Sequence, residues 1–165
     1  MTELKPPPGS VLDKYHGDAV RPLYTGRVRV DGGEAGHGRA SGVVRSDDGM
    51  LAVDLRLPPE LGGPGGGTNP EQLLAAGYAG CFHGALVLVA ARAGLALNDP
   101  SIDVSVTFAR DPVDGLYLLS AEIVVNLPGM DPTLAAELVR NTERACPYAK
   151  MFHRGISHVV RVAVT

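Results

Sequence analysis

The sequence predicts an α+β protein with the element order βββ-α-ββ-α-β. Three observations carry that prediction. A long apolar run, Leu73–Ala91, follows the helix-opening residues Asn69 and Pro70. Strict alternation marks Ile102–Phe108 and Tyr117–Val125 as the two arms of a hairpin about Asp111-Pro112-Val113-Asp114-Gly115. A second helix opens at Asp131-Pro132, with Leu134, Leu138 and Ala145 on one face and Glu137, Arg140 and Arg144 on the other.

Residues 1–22 hold Pro6-Pro7-Pro8 and no sustained period, so they read as an arm before a single domain spanning 23–165. Tyr24–Val30 alternates as a first strand, and Arg39–Arg45 resumes an extended segment after a glycine-rich turn. Ser46-Asp47-Asp48-Gly49 then turns the chain into Leu51–Leu57, whose even spacing of Leu51, Val53, Leu55 and Leu57 predicts a half-buried strand. Pro58–Thr68 has five glycines and reads as a loop. It lacks the Lys-Ser/Thr ending of a phosphate loop and the G-x-G-x-x-G spacing, so nucleotide binding has only weak support there.

In the central helix Gln72 stands where a capping box wants Glu or Gln. The apolar run that follows predicts burial on all sides. Its length raises a membrane span, but His83, the glycines within it and the polar entry argue for a core helix instead. The second helix must end at Cys146 because Pro147 follows. Ile156–Val164 is expected as a closing strand. Six strands from one chain would cover the central helix mainly on one side, so an intimate homodimer is expected to supply the rest.

A net charge of −3, with no basic run or aromatic ladder, argues against a nucleic-acid partner. No secretory hydrophobic region opens the chain, so a reducing, cytoplasmic setting is the default expectation. The two cysteines, Cys81 and Cys146, form no disulfide framework and no Cys-x-x-Cys pair. Two such residues are ordinarily small buried hydrophobes. Here each has unusual company: Gly77-Tyr78-Ala79-Gly80 before Cys81, and Pro147-Tyr148 after Cys146.

A reactive thiol needs its anion stabilised by a cation or a helix N-terminus. Glu71 opposes a thiolate directly, yet it can hold an arginine in place, with Arg39 the candidate. Ten residues of straight helix separate Glu71 from Cys81, about 15 Å of axis. For both to share a site, the helix is expected to break near Gly77–Gly80, which would put Cys81 in the first turn of a new helix. The spacing of His83, His153 and His158 matches no zinc site, so no metal is expected.

The run Gly62–Leu73, continuing through Ala75-Ala76-Gly77-Tyr78 to Cys81-Phe82, resembles the first-cysteine motif of organic hydroperoxide resistance proteins, the Ohr branch of the Ohr/OsmC family. Cys146-Pro147-Tyr148-Ala149-Lys150 resembles their second-cysteine motif, and Pro128-Gly129-Met130 also fits. The likeness runs from about Tyr24 to the C-terminus. It implies an OsmC-like fold, with two six-stranded sheets shared in an intertwined homodimer. It also implies a thiol peroxidase acting on alkyl or fatty-acid hydroperoxides.

By position, the resemblance makes Cys81 the peroxidatic and Cys146 the resolving cysteine, and matches Glu71 to the family's glutamate. Arg39 gives the best register for the family's arginine, but the stretch carries extra residues, so Arg45 stays as an alternative. The resemblance implies no bound cofactor and an external dithiol, the dihydrolipoyl group of a lipoylated protein, as reductant. Tyr78, Phe82, Met130, Tyr148 and Phe152 are apolar enough to line a substrate mouth, although for any one of them ordinary core is the favoured reading. The competing reading keeps the fold and leaves the cysteines idle in a stress-induced binding or structural protein.

Overall fold

The computed structural model describes residues 13–37 and 40–163. Strands β1 (Val28–Asp31), β2 (Val43–Ser46) and β3 (Ala52–Asp54) form an antiparallel sheet in the order β1-β2-β3. Val44 pairs with both Val30 and Val53, which fixes the register. The turn into β3 is held by Asp48, whose carboxylate accepts from Ser46 Oγ at 2.6 Å and from the Met50 N–H at 3.0 Å. Residues 13–22 are exposed and carry no regular structure.

Helix α1 (Pro70–Arg92) begins as its sequence dictates. Asn69 Oδ1 accepts the Gln72 N–H at 2.9 Å, and Pro70 occupies the first turn. The Gln72 side chain bonds the Thr68 hydroxyl at 2.8 Å rather than turning back to the Asn69 N–H, so the cap is one-sided. Strands β4 (Ser101–Arg110) and β5 (Tyr117–Asn126) pair antiparallel along their whole length, from Ser101 opposite Asn126 to Arg110 opposite Tyr117. Helix α2 (Pro132–Ala145) is capped by Asp131, which accepts the Thr133 and Leu134 N–H groups at 3.0 Å.

Helix α1 is the hub: it packs on β4, on α2 and on a third helix, α3 (Pro147–Arg154). Tyr78 and Phe82 meet Ile102, Val104, Ile123 and Val125 of the hairpin together with Cys146 and Ala149. Two turns further on, Leu86 and Ala90 meet Leu138, Leu97 and Met130. Each large apolar side chain so buried stabilises the fold by about 1.5–3 kcal/mol.

Within one chain, Tyr78, Phe82, Leu86 and Ala90, spaced four apart, form a single buried stripe of α1, while Ala76, Gly80, His83, Gly84 and Val87 are exposed. One chain's hairpin and two helices wrap one side only. Three expectations need correction. The helix does not break at Gly77–Gly80; it runs unbroken from Pro70 to Arg92. Residues 156–163 form no strand and lie exposed, pairing with neither of the two sheets. Finally, α3 was not expected from the sequence. Pro147 ends α2 by forcing Cys146 out of the helical region (φ −79°, ψ 117°), and it then serves as the first residue of α3.

Candidate active site

Cys146 is the corner between two helices. Its N–H closes α2 onto the Thr142 carbonyl at 2.9 Å, and its carbonyl accepts the Lys150 N–H at 3.1 Å to start α3. The extended backbone between those bonds directs its side chain inward, and the residue is fully buried. Cys81 projects from the same side of α1 as Tyr78, three residues before it, and is half-buried. The two sulfurs lie 3.6 Å apart, as free thiols. A disulfide requires about 2.0 Å, so bridging them needs a shift of only about 1.6 Å.

The Cys81 thiol is pushed above its ordinary range, chiefly by burial and further by the neighbouring Cys146. One group opposes that shift: the Tyr148 backbone N–H in the first turn of α3, which favours the Cys81 anion. A helix start does therefore face this thiol, although it belongs to α3 and not to a broken α1. Among the described residues, no cation is one of these perturbing groups.

Aromatic rings close the site. Tyr78 lies 4.9 Å from Phe152, 6.2 Å edge-on to Phe82 and 6.3 Å from the stacked ring of Tyr148, between centroids. Its phenol is raised by burial, then by the negative charge available at Cys146, Glu143 and Cys81. Gly77 is what lets Tyr148 come so near α1. A Cβ there would stand 2.9 Å from the phenolic oxygen and 3.3 Å from two ring carbons.

Of the residues singled out in the sequence, Cys81, Cys146, Tyr78, Phe82, Tyr148 and Phe152 come together. Met130 does not: it packs with Leu86, Ala90 and Leu138 in the other cluster. Glu71 is also apart, about 15 Å along the unbroken α1. It lines a separate cleft of about 420 Å³ with Pro58, Leu61, Val104 and Phe108. Arg39 lies outside the described residues. Arg45 is exposed on β2, between Arg29 and Ala52 of the flanking strands. Among the described residues no three His, Cys, Asp or Glu side chains gather as a cation site.

Two contributions are not assigned from the sequence: the packing of Ala149, fully buried against the cysteines, and the backbone N–H of Tyr148. The signal for both was Pro147: a proline that ends one helix is also a favoured first residue of the next.

Fold and site together define an α+β protein with a dithiol centre, built where a central helix meets a helix corner. The chain belongs to the Ohr/OsmC family, in its organic hydroperoxide resistance branch. The model of the family of OsmC-like proteins matches residues 63–161. The chain is similar to the organic hydroperoxide resistance protein OhrB of Bacillus subtilis, at 41% identity over 78% of this chain and 89% of the relative. It is 40% identical to the organic hydroperoxide resistance protein of Xanthomonas axonopodis pv. citri, over 86% and 95% of the two chains. A solved structure of such a protein from Legionella pneumophila superposes with a TM-score of 0.72 at 37% identity, covering 82% of this chain and 93% of that one.

Proposed function

We propose that the chain is a thiol-dependent peroxidase that reduces organic hydroperoxides to alcohols. The observation that carries this reading is the 3.6 Å approach of two free sulfurs, one half-buried and one fully enclosed. Idle thiols have no need to meet, and these meet at a helix corner built around the second.

The Cys81 thiolate attacks the terminal peroxide oxygen; the S–O bond forms, the O–O bond breaks, and the alkoxide leaves as alcohol after taking a proton. The Cys146 thiolate then attacks the resulting sulfenic acid, forming the S–S bond and releasing water. A dithiol returns both sulfurs to thiols. Dihydrolipoyl groups of a lipoylated protein are the proposed source, in a reducing compartment such as the cytoplasm.

Burial alone would keep Cys81 protonated, so the cycle needs a cation beside the Tyr148 N–H. Arg39 is the proposed guanidinium, with Arg45 the alternative and Glu71 its anchor. Because α1 is unbroken, Glu71 can act at Cys81 only if a second copy of the chain brings it there. The exposed apolar residues Val28, Val30, Leu118, Leu119, Val160 and Val162 support such a homodimer.

The test is consumption of tert-butyl hydroperoxide and of hydrogen peroxide, with dihydrolipoamide as reductant. Turnover should favour the organic peroxide and vanish in Cys81→Ser. Full turnover by Cys81→Ser would refute the assignment.

A further inference from the structure

Helices α2 and α3 meet at an angle around a groove of about 610 Å³ that no step of the proposed cycle uses. Arg140 and Arg144 lie four apart on α2, and Lys150 and Arg154 lie four apart on α3, so each pair shares one helix face. Together they line the groove with His153 and Glu143. Glu143 is the one carboxylate among these, and it already binds the His153 ring at 2.8 Å. The whole chain carries a net charge of −3, so this concentration of positive charge runs against its background. The groove flanks the Cys146 corner, and Glu143 is near enough to the sulfur site to raise the Tyr78 phenol.

We propose that this groove docks an acidic protein surface that carries the reducing dithiol, a proposal that rests on the peroxidase reading above. The character of the groove selects a protein over a small anion. Its cations are exposed, on long side chains, and no buried polar group anchors them. Such an array steers a large, oppositely charged partner into orientation without gripping one ionic group.

Delivery next to Cys146 suits the chemistry. One partner thiolate attacks the Cys81–Cys146 disulfide and forms a mixed disulfide, and the second partner thiol displaces it. Two electrons and two protons pass to the enzyme's sulfurs, and the partner departs as its own disulfide.

The experiment compares two reductants on the oxidised enzyme: dithiothreitol, which is small and neutral, and a reduced lipoylated carrier domain of net negative charge. Two double variants are used, Arg140→Gln with Arg144→Gln, and Lys150→Gln with Arg154→Gln. Each should lower kcat/KM for the carrier about tenfold and flatten its fall with added salt, while leaving the dithiothreitol rate within about twofold. Unchanged carrier rates in both variants would overturn the proposal. So would equal losses with both reductants, which would place these residues' effect on the sulfur site itself. If neither reductant restores thiols to the wild-type enzyme, the peroxidase reading fails, and the docking role falls with it.

Discussion

Two ends of helix α1 are built in different ways. At Cys81, the neighbours Tyr78, Phe82, Cys146 and Ala149 are buried by the chain's own hairpin and helices, and the two sulfurs stand within 3.6 Å. At Glu71, ten residues earlier, the helix start borders an open cleft, and the adjoining sheet begins with β1, all four residues of which are exposed. The first region is complete in one chain. The second leaves apolar strand faces uncovered and holds the carboxylate expected to serve the first. Under the proposed homodimer, the sulfur exchange belongs to one chain, and thiolate activation draws on Glu71 of the other.

Breaking the complete region should have the largest effect. Cys81→Ser should lower peroxide turnover by on the order of a thousandfold or more, read by coupled reductant consumption. Cys146→Ser should still undergo one rapid oxidation and then accumulate sulfenic or sulfinic acid on Cys81, visible by mass spectrometry as added oxygen. Sustained wild-type turnover by Cys146→Ser would remove the disulfide from the cycle.

The split itself is tested by mixing. Cys81→Ser and Glu71→Ala chains, each nearly inactive alone, should recover about a quarter of wild-type activity when refolded together at equal ratio, because half of the dimers formed would contain one intact site. This count follows from random pairing of two chains in a closed dimer. No recovery from a mixture shown to contain mixed dimers would confine Glu71 to its own chain, where unbroken α1 keeps it from Cys81.

Most of the fold was legible, for physical reasons specific to each element. The β4–β5 hairpin follows from uninterrupted alternation about an Asp/Gly turn, and it appears with Ile102, Val104, Val106 and Phe108 on the inner face. Both long helices follow from a cap residue followed by Pro. Helix α3 is not legible because eight residues are too few for an apolar period to declare itself, and its Pro marks a stop as readily as a start. The closing strand does not form in the single chain because alternation reports a face and not a partner: residues 156–163 have the pattern but pair with neither sheet. The cysteine pair can be suspected but not placed, since a separation of 65 positions along the chain fixes no distance. Glycines at 77 and 80 suggested a helix break, whereas Gly77 serves instead to admit the Tyr148 ring.

That close approach gives a smaller, graded effect. Gly77→Ala should push Tyr148 outward and slow disulfide closure by about tenfold, a loss of roughly 1.4 kcal/mol in the resolving step, while leaving the first oxidation nearly unchanged. Adding Tyr148→Phe removes the nearest atom and should restore part of the rate. Equal slowing of both steps, with no rescue, would make Gly77 a matter of general packing.

The pH dependence should be smaller still. Burial raises the Cys81 thiol, so its anion appears only as pH climbs, and the oxidation rate should rise with pH through the ordinary thiol range and beyond. Replacing Arg39 by Gln should move that rise to higher pH, measured by stopped-flow oxidation. The same sign makes burial of the neutral thiol a source of stability that is fully present below the unfolded pKa and lost as pH rises through the folded one. An identical profile in both proteins would remove Arg39 from thiolate activation.

The most direct measurement is peptide mapping by mass spectrometry after one equivalent of tert-butyl hydroperoxide is added to the reduced protein. The expected result is a single product in which Cys81 and Cys146 of the same chain are joined, with the loss of two hydrogens and no retained oxygen. Oxygen held stably on Cys81 beside a free Cys146, or no change at either sulfur, would contradict it.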